Sequence, residues 1–304
     1  MSKPSPPVGL IGVGLMGEAL AVRLIAAGLS VTGFDIDPAR TARLAALGGA
    51  SAASAADLAL RCDPIVLALF DTDQVEAVVA QELLPALGQG SGKLLICVST
   101  CDPDRVEELG ARAAAAGLAF IEAPVSGTSG QVGRGEGVGL IGGDAAAVAR
   151  AAPILEALFR GTFHVGGIGA GNRAKLAVNL ILGLNRLALA EGLVFAERLG
   201  LDPAAFLAVA RGSAAYSQVM DTKGPKMVAG DFAPEGRVRQ TLKDAHLILA
   251  EAAAAGQDLP LLRVHAEVLE ACVRAGEGER DNSIVIEAIR RRGPEPEEAD
   301  EAGP

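Results

Sequence analysis

Val8-Gly9-Leu10-Ile11-Gly12-Val13-Gly14-Leu15-Met16-Gly17 is a short apolar run that breaks into G-x-G-x-x-G and then continues as the helical pattern Glu18-Ala19-Leu20. Each glycine in such a turn has its own task. Gly12 makes the tight turn, Gly14 lets backbone approach a pyrophosphate, and Gly17 packs helix against strand, with the phosphate at the helix N-terminus. A second apolar run, Val31–Asp35, ends in an acid about twenty residues on, where a ribose hydroxyl needs an acceptor. The turn and the acid together read as a dinucleotide site formed by Gly12, Gly14, Leu15, Met16, Gly17 and Asp35. Asp35 and the nearby Asp37 would repel a 2′-phosphate, which points to NAD(H) in preference to NADP(H). Arg40 reads as a solvated helix residue.

Outward from this turn, the first half of the chain alternates apolar runs with Ala/Leu-rich helical stretches, the pattern of a parallel sheet with crossover helices. Strands are expected at 8–11, 31–35, 65–70, 94–98 and 118–122, with less regular ones at 137–141 and 163–165. Helices are expected at 16–27, 38–47, 73–84, 103–116 and 145–158; Asp102 and Pro103 suit the N-cap and first position of the fourth. From Gly171 the spacing becomes helical almost without interruption, and 172–199 reads as one long helix, apolar on most faces and therefore buried. Further helices are expected at 203–212, 238–255, 261–275 and 283–291. The expected architecture is α/β: a Rossmann dinucleotide-binding domain over 1–168, then an all-helical domain over 169–292 for substrate and self-association.

Composition narrows the function. The chain has 304 residues, enough for about two domains at roughly 150 each. With 27 basic and 37 acidic residues its net charge is −10, and no dense basic cluster exists, so nucleic acid is not an expected partner. The terminal GPEPEEADEAGP carries Glu295, Glu297, Glu298, Asp300 and Glu301 with nothing apolar to bury, and 293–304 reads as a disordered, solubilising tail. Cys62, Cys97, Cys101 and Cys272 show neither a CxxC pair nor histidines at zinc spacing, so buried thiols in a reduced compartment are expected, with no metal. The N-terminal apolar stretch is interrupted by glycines and ends at Glu18, a poor signal peptide. The apolar run 176–196 contains Arg186 and Glu191, so no bilayer span is expected and the cytoplasm is the expected location.

Three more segments make a resemblance specific. Glu122-Ala123-Pro124-Val125-Ser126-Gly127, continuing to Gly130, resembles the substrate-binding segment of the β-hydroxyacid dehydrogenase family. Gly169-Ala170-Gly171-Asn172-Arg173-Ala174-Lys175-Leu176-Ala177-Val178-Asn179 resembles its catalytic segment, and Lys243-Asp244 its cofactor-site pair. With the glycine turn, the four motifs stand in the family's order over about residues 8 to 291. The family includes 3-hydroxyisobutyrate dehydrogenase and tartronate semialdehyde reductase. The resemblance implies an NAD-dependent oxidoreductase that interconverts a small β-hydroxy acid and its semialdehyde or keto form. Lys175 would be the general acid/base, because burial draws an ammonium's pKa toward neutrality. Asn179, one turn on, would hold substrate or lysine. Ser126, Gly127 and Thr128 would bind the substrate carboxylate, Lys243 would reach cofactor and substrate, and Thr100 would touch the cofactor.

Taken without the resemblance, Lys175 reads as a lysine snorkelling to the surface, and Lys243 as an exposed one paired with an acid. Val178 stands where many members carry asparagine or histidine, and Arg134 and Glu136 make the stretch after Gly130 unusually charged. Tyr216 could line a pocket or simply pack. An imine reductase-like enzyme and a non-catalytic nucleotide-binding relative are the alternatives on the same fold. Association as a homodimer or homotetramer through the helical domain is also implied.

Overall fold

Short unbroken apolar runs in the first half, such as Val8–Ile11 and Leu94–Cys97, form strands buried on both faces. The computed structural model describes residues 5–292, so the acidic tail lies outside the described residues. Its first half runs Val8–Ile11 (β1), Leu15–Ala26 (α1), Val31–Phe34 (β2), Pro38–Ala46 (α2), Ala50–Ser51 (β3), Ala55–Arg61 (α3) and Ile65–Leu67 (β4). Then come Thr72–Ala77 (α4), a π-helical stretch Val78–Leu83, Leu84–Leu87 (α5), Leu94–Cys97 (β5), Pro103–Ala115 (α6), Ala119–Glu122 (β6) and Val125–Ser126 (β7). Ser129–Gly133 (α7), Val138–Gly143 (β8), Ala145–Leu158 (α8) and Gly161–Gly166 (β9) complete it.

The strands form one sheet in the order β3-β2-β1-β4-β5-β6-β8-β7, with β9 on β8. Pairing is parallel from β3 through β6, while β8 runs antiparallel to β6 and β7. The 3-2-1-4-5-6 order is that of a Rossmann sheet, and its direction reverses between β1 and β4, so a crevice opens beyond their carboxyl ends. Leu10, Val66, Ile96 and Ile121 pack on one face with Leu20 and Leu24 of α1 and Leu158 of α8. Ile11, Ile65, Leu67, Leu95 and Phe120 pack on the other with Leu58 of α3 and Leu109 of α6.

Two expected elements are cut short for local reasons. The strand at 65–70 stops at Leu67 because the Ser99 hydroxyl accepts from the Leu69 N–H at 2.9 Å and donates to the Leu69 carbonyl at 2.9 Å, turning the chain out of the ladder. The helix at 73–84 widens to π before Pro85, which has no N–H to continue the α-ladder. Several elements were too short to carry a period: β3, α3, β7 and α7.

The second half is helical: Ala170–Arg198 (α9), Pro203–Arg211 (α10), Gln218–Thr222 (α11), Gly224–Ala229 (α12), Val238–Ala254 (α13), Pro260–Arg274 (α14), a 3₁₀ turn at Asn282–Ile284, and Val285–Arg290 (α15). The chain forms two compact units, one ending at Val178 and the other beginning at Asn179, so the division falls inside α9. By length and composition α9 could cross a membrane. In this fold Leu187, Leu189, Ala190, Leu193 and Val194 belong to the buried core. The expectation that α9 is buried on most faces needs correction, since Ile181 is 61% exposed and Phe195 66%. A stripe through Ala177, Ile181, Ala188 and Phe195 is exposed, with nothing packed on it among the described residues.

The helical unit has a charged interior. Lys223 donates to both carboxylate oxygens of Asp281 at 2.9 Å, and Asp281 also accepts from the N–H groups of Glu235, Gly236 and Ser283. Arg186 is buried, and burial draws its pKa to about 10 while Asp281 and Asp244 oppose the shift. Burial, with the Arg186 charge beside it, holds the His265 imidazole down at about 3. An unfolded chain protonates histidine near 6.5, so between pH 6.5 and 3 the unfolded state binds more protons and stability rises with pH. The contribution is complete above pH 6.5 and is lost on acidification. Between pH 6.5 and 5 the loss is about 2 kcal/mol. Thermal melts of wild type and His265→Leu at pH 7 and pH 5 check it: the variant should lose most of the acid sensitivity, and an equal drop in both would refute the assignment.

Candidate active site

The turn after β1 assigns its three glycines different constraints. Gly12 has φ +90°, and a Cβ there would lie 2.3 Å from the Ala68 carbonyl oxygen. A Cβ on Gly17 would lie 2.0 Å from the Gly12 carbonyl oxygen, so α1 can start only if position 17 is bare. Gly14 is different: its Cβ would meet nothing nearer than the Arg40 Nη1 at 3.7 Å. The protein leaves space there. Leu15 is exposed beside it and Met16 is half-buried.

Asp35 follows the end of β2, and its carboxylate ties the turn together. Oδ2 accepts from the Val13 N–H at 2.7 Å, and Oδ1 accepts from the Asp37 N–H at 2.9 Å. Arg40 is not the solvated residue expected from sequence. Its guanidinium lies 3.3 Å from Asp35 Oδ2 and 3.4 Å from Asp37 Oδ2, because α2 begins at Pro38 and turns its third residue back over the glycine loop.

Beyond β5, Ser99 is committed to the β4 end, and Thr100 is half-buried at the same crevice edge. After β6 the chain makes the short strand β7 and turns at Gly127, φ +141°. Thr128 caps α7: its hydroxyl accepts from the Gln131 N–H, and its own N–H donates to the Gln131 side chain at 2.9 Å. Thr128 therefore keeps only its hydroxyl proton to offer a ligand, whereas Ser126 stands half-buried at the strand end.

The start of α9 is held by a carboxylate from the sheet. Glu122, at the end of β6, is 0% exposed. Its Oε1 accepts from the Gly171 N–H at 2.7 Å, and its Oε2 accepts from the Asn172 N–H at 3.2 Å and from the Asn172 side-chain amide. Asn172 Oδ1 in turn accepts from the Cys101 N–H at 2.8 Å. Burial pushes the Glu122 pKa up, and these donors pull it back toward the ionised form. Cys97 and Cys101 are buried free thiols, and their mutual hydrogen bond together with burial raises the Cys97 pKa. The signal in the sequence was an acid ending a fully apolar strand.

One turn past Asn172 stands Lys175, only 7% exposed, so it does not snorkel. Asn179 follows one turn later, and its amide donates to Asp244 Oδ2 at 2.8 Å. Asp244 also pairs with Lys243, 2.9 Å away. The helical unit thus brings Asn179, Asp244 and Lys243 together, and Lys243 is largely buried rather than surface-exposed. Tyr216 is half-exposed, and its hydroxyl donates to Asp221 at 2.6 Å.

Residues 7–166 match the model of the NAD-binding domain of 6-phosphogluconate dehydrogenase, and residues 169–289 match that of the NAD-binding region of NADP-dependent 3-hydroxyisobutyrate dehydrogenase. The chain belongs to the β-hydroxyacid dehydrogenase family. It is 33% identical to L-threonate dehydrogenase of Cupriavidus necator, over 92% of this chain and 94% of that one. It is 31% identical to 2-hydroxy-3-oxopropionate reductase of Escherichia coli, over 93% and 96%. A crystal structure of 3-hydroxyisobutyrate dehydrogenase from Salmonella typhimurium superposes with TM-score 0.85 at 30% identity, covering 93% of this chain and 99% of that one. An imine reductase from Pseudomonas sp., at 22% identity and TM-score 0.66, shares the fold alone. This β-hydroxyacid dehydrogenase is therefore an oxidoreductase with a Rossmann NAD-binding domain, in a family whose named members act on small hydroxy acids.

Proposed function

We propose that this β-hydroxyacid dehydrogenase uses NAD to interconvert a small β-hydroxy acid and its semialdehyde or keto form, with Lys175 as general acid/base. The supporting observation is a buried lysine one turn after the clamped start of α9. A dinucleotide fits the residues present: the bare Gly14 leaves room for pyrophosphate, and the half-buried Asp35 loop can meet the ribose. Leu15, Met16 and Thr100 complete the cofactor contacts. When bound, the nicotinamide accepts or returns the hydride.

The chain's own residues do the rest. Ser126 and Gly127 bind the substrate carboxylate, and Thr128, whose N–H is held by Gln131, can add a hydroxyl proton. The Lys175 amine takes the hydroxyl proton as the alcohol is oxidised and returns it in reduction. Asn179, fixed by Asp244, orients the reacting oxygen, and Lys243 completes the cofactor-side contacts. The test is a panel of 3-hydroxyisobutyrate, glycerate, 4-hydroxybutyrate and L-threonate followed by NADH absorbance. Turnover of at least one is expected; NAD binding without turnover of any would favour a non-catalytic relative.

Asp35 also supports NAD over NADP. A 2′-phosphate would face the Asp35 carboxylate and displace Arg40 from its acidic partners. Catalytic efficiency with NAD should exceed that with NADP by about a hundredfold, the scale of roughly 2.7 kcal/mol of lost or repelled contact. Equal use of both cofactors would refute it.

The open α9 stripe supports association with a second copy, and the net charge of −10 gives no support to nucleic-acid binding. Light scattering at micromolar concentration should show a dimer or tetramer. A monomer would count against it.

A further inference from the structure

We propose that Glu122 is a positioning residue that sets both the location and the proton affinity of Lys175. The inference rests on Lys175 being the general acid/base. Glu122 reaches from the end of β6 to the first turn of α9, where its two oxygens take the N–H groups of Gly171 and Asn172. Helix N-termini carry unpaired N–H groups and a partial positive charge, so a buried carboxylate there fixes the helix start and neutralises it. Two glycines make room for it. A Cβ at Gly142 would come within 2.2 Å of Glu122 Oε1, and one at Gly171 within 3.1 Å.

The clamp has a second arm. The Asn172 amide donates to Glu122, and its carbonyl oxygen accepts from the Cys101 N–H at 2.8 Å, joining the α9 start to the residue after Thr100. One carboxylate therefore registers the ends of β5 and β6 against the helix that carries the lysine. Lys175 lies four residues after Gly171 and three after Asn172, on the same side of the helix. Helical side chains lean toward the N-terminus, so the Lys175 side chain leaves the backbone on the side of the clamped turn. A carboxylate there favours the charged lysine and opposes the effect of burial.

The test is the pH dependence of kcat/KM for hydroxy-acid oxidation in wild type, Glu122→Gln, Glu122→Asp and Lys175→Ala. Glu122→Gln removes the charge and leaves the helix N-terminus uncompensated. Its kcat should fall at least tenfold, with the acid-limb pKa moving down by about one unit and KM for NAD within twofold of wild type. Glu122→Asp keeps the charge but draws it back from the helix start, so its pKa should move down by less and its kcat loss should be the smaller. If Glu122→Gln does not fold, Glu122→Asp decides: a downward pKa shift with reduced kcat supports the proposal, and reduced kcat with an unshifted pKa overturns it. A loss of kcat in Glu122→Gln with no pKa shift would mean a purely structural role. An active Lys175→Ala would remove the premise itself, whereas an inactive one beside an unshifted Glu122→Gln would overturn only this inference.

Discussion

Lys175→Ala should lower kcat by about a thousandfold, the middle of the range for general acid–base catalysis. Oxidising a hydroxyl by hydride loss leaves a proton that must go to a positioned base, and water cannot be aimed in the same way. In the proposed mechanism that base is Lys175, which is buried in the second turn of a helix whose start is fixed by Glu122 and Asn172. Alanine is the best helix former, so α9 should persist. Far-UV circular dichroism and the affinity for NAD should be unchanged, because the glycine loop and Asp35 lie on other elements. Lys175→Arg should not rescue, since a guanidinium stays protonated and cannot act as a base. A variant retaining more than a tenth of wild-type kcat would end the case for this lysine.

Gly17→Ala and Gly14→Ala should separate folding from cofactor binding. At Gly17 the added Cβ would lie 2.0 Å from the Gly12 carbonyl oxygen, a backbone atom that cannot swing away. Relief requires moving β1 and α1 apart, and their contact belongs to the core around Leu10, Leu20 and Leu24. Loss of several kcal/mol and mostly insoluble protein are expected. At Gly14 the same methyl meets only the Arg40 Nη1 at 3.7 Å, and the backbone sits at φ −74°, which alanine adopts freely. Stability should hold within about 2 °C in Tm. The methyl occupies the space through which a pyrophosphate approaches, so Kd for NAD, read by titration calorimetry, should rise at least tenfold. If Gly14→Ala binds NAD as wild type does, the pyrophosphate is not at this turn.

The segments of the candidate site were legible in order along the chain. The glycine turn, Asp35, the segment around Ser126, Lys175 and Lys243-Asp244 are local patterns whose spacing can be read without knowing how the chain folds. The helices of the second half were legible for the same reason, since three- and four-residue periodicity is a local property. Roles that need two distant segments were not. Glu122 and Asn172 are fifty residues apart, and their bond exists only after β6 meets the start of α9. Arg40 looked solvated until the turn into α2 brought it onto Asp35.

By itself the sequence determined that this protein has a parallel dinucleotide-binding sheet followed by helices, because turn chemistry and hydrophobic period act within a few residues. It also carried the motifs that place the chain in its family. The tertiary structure decided which of those side chains are buried, which carboxylate meets which N–H, and which face of α9 remains open. Lys175 shows the difference. Its position was readable from the segment around it, but that it is buried, beside a helix start held by a carboxylate from another strand, depends on desolvation and charge proximity. Both are set by neighbours in space rather than in sequence.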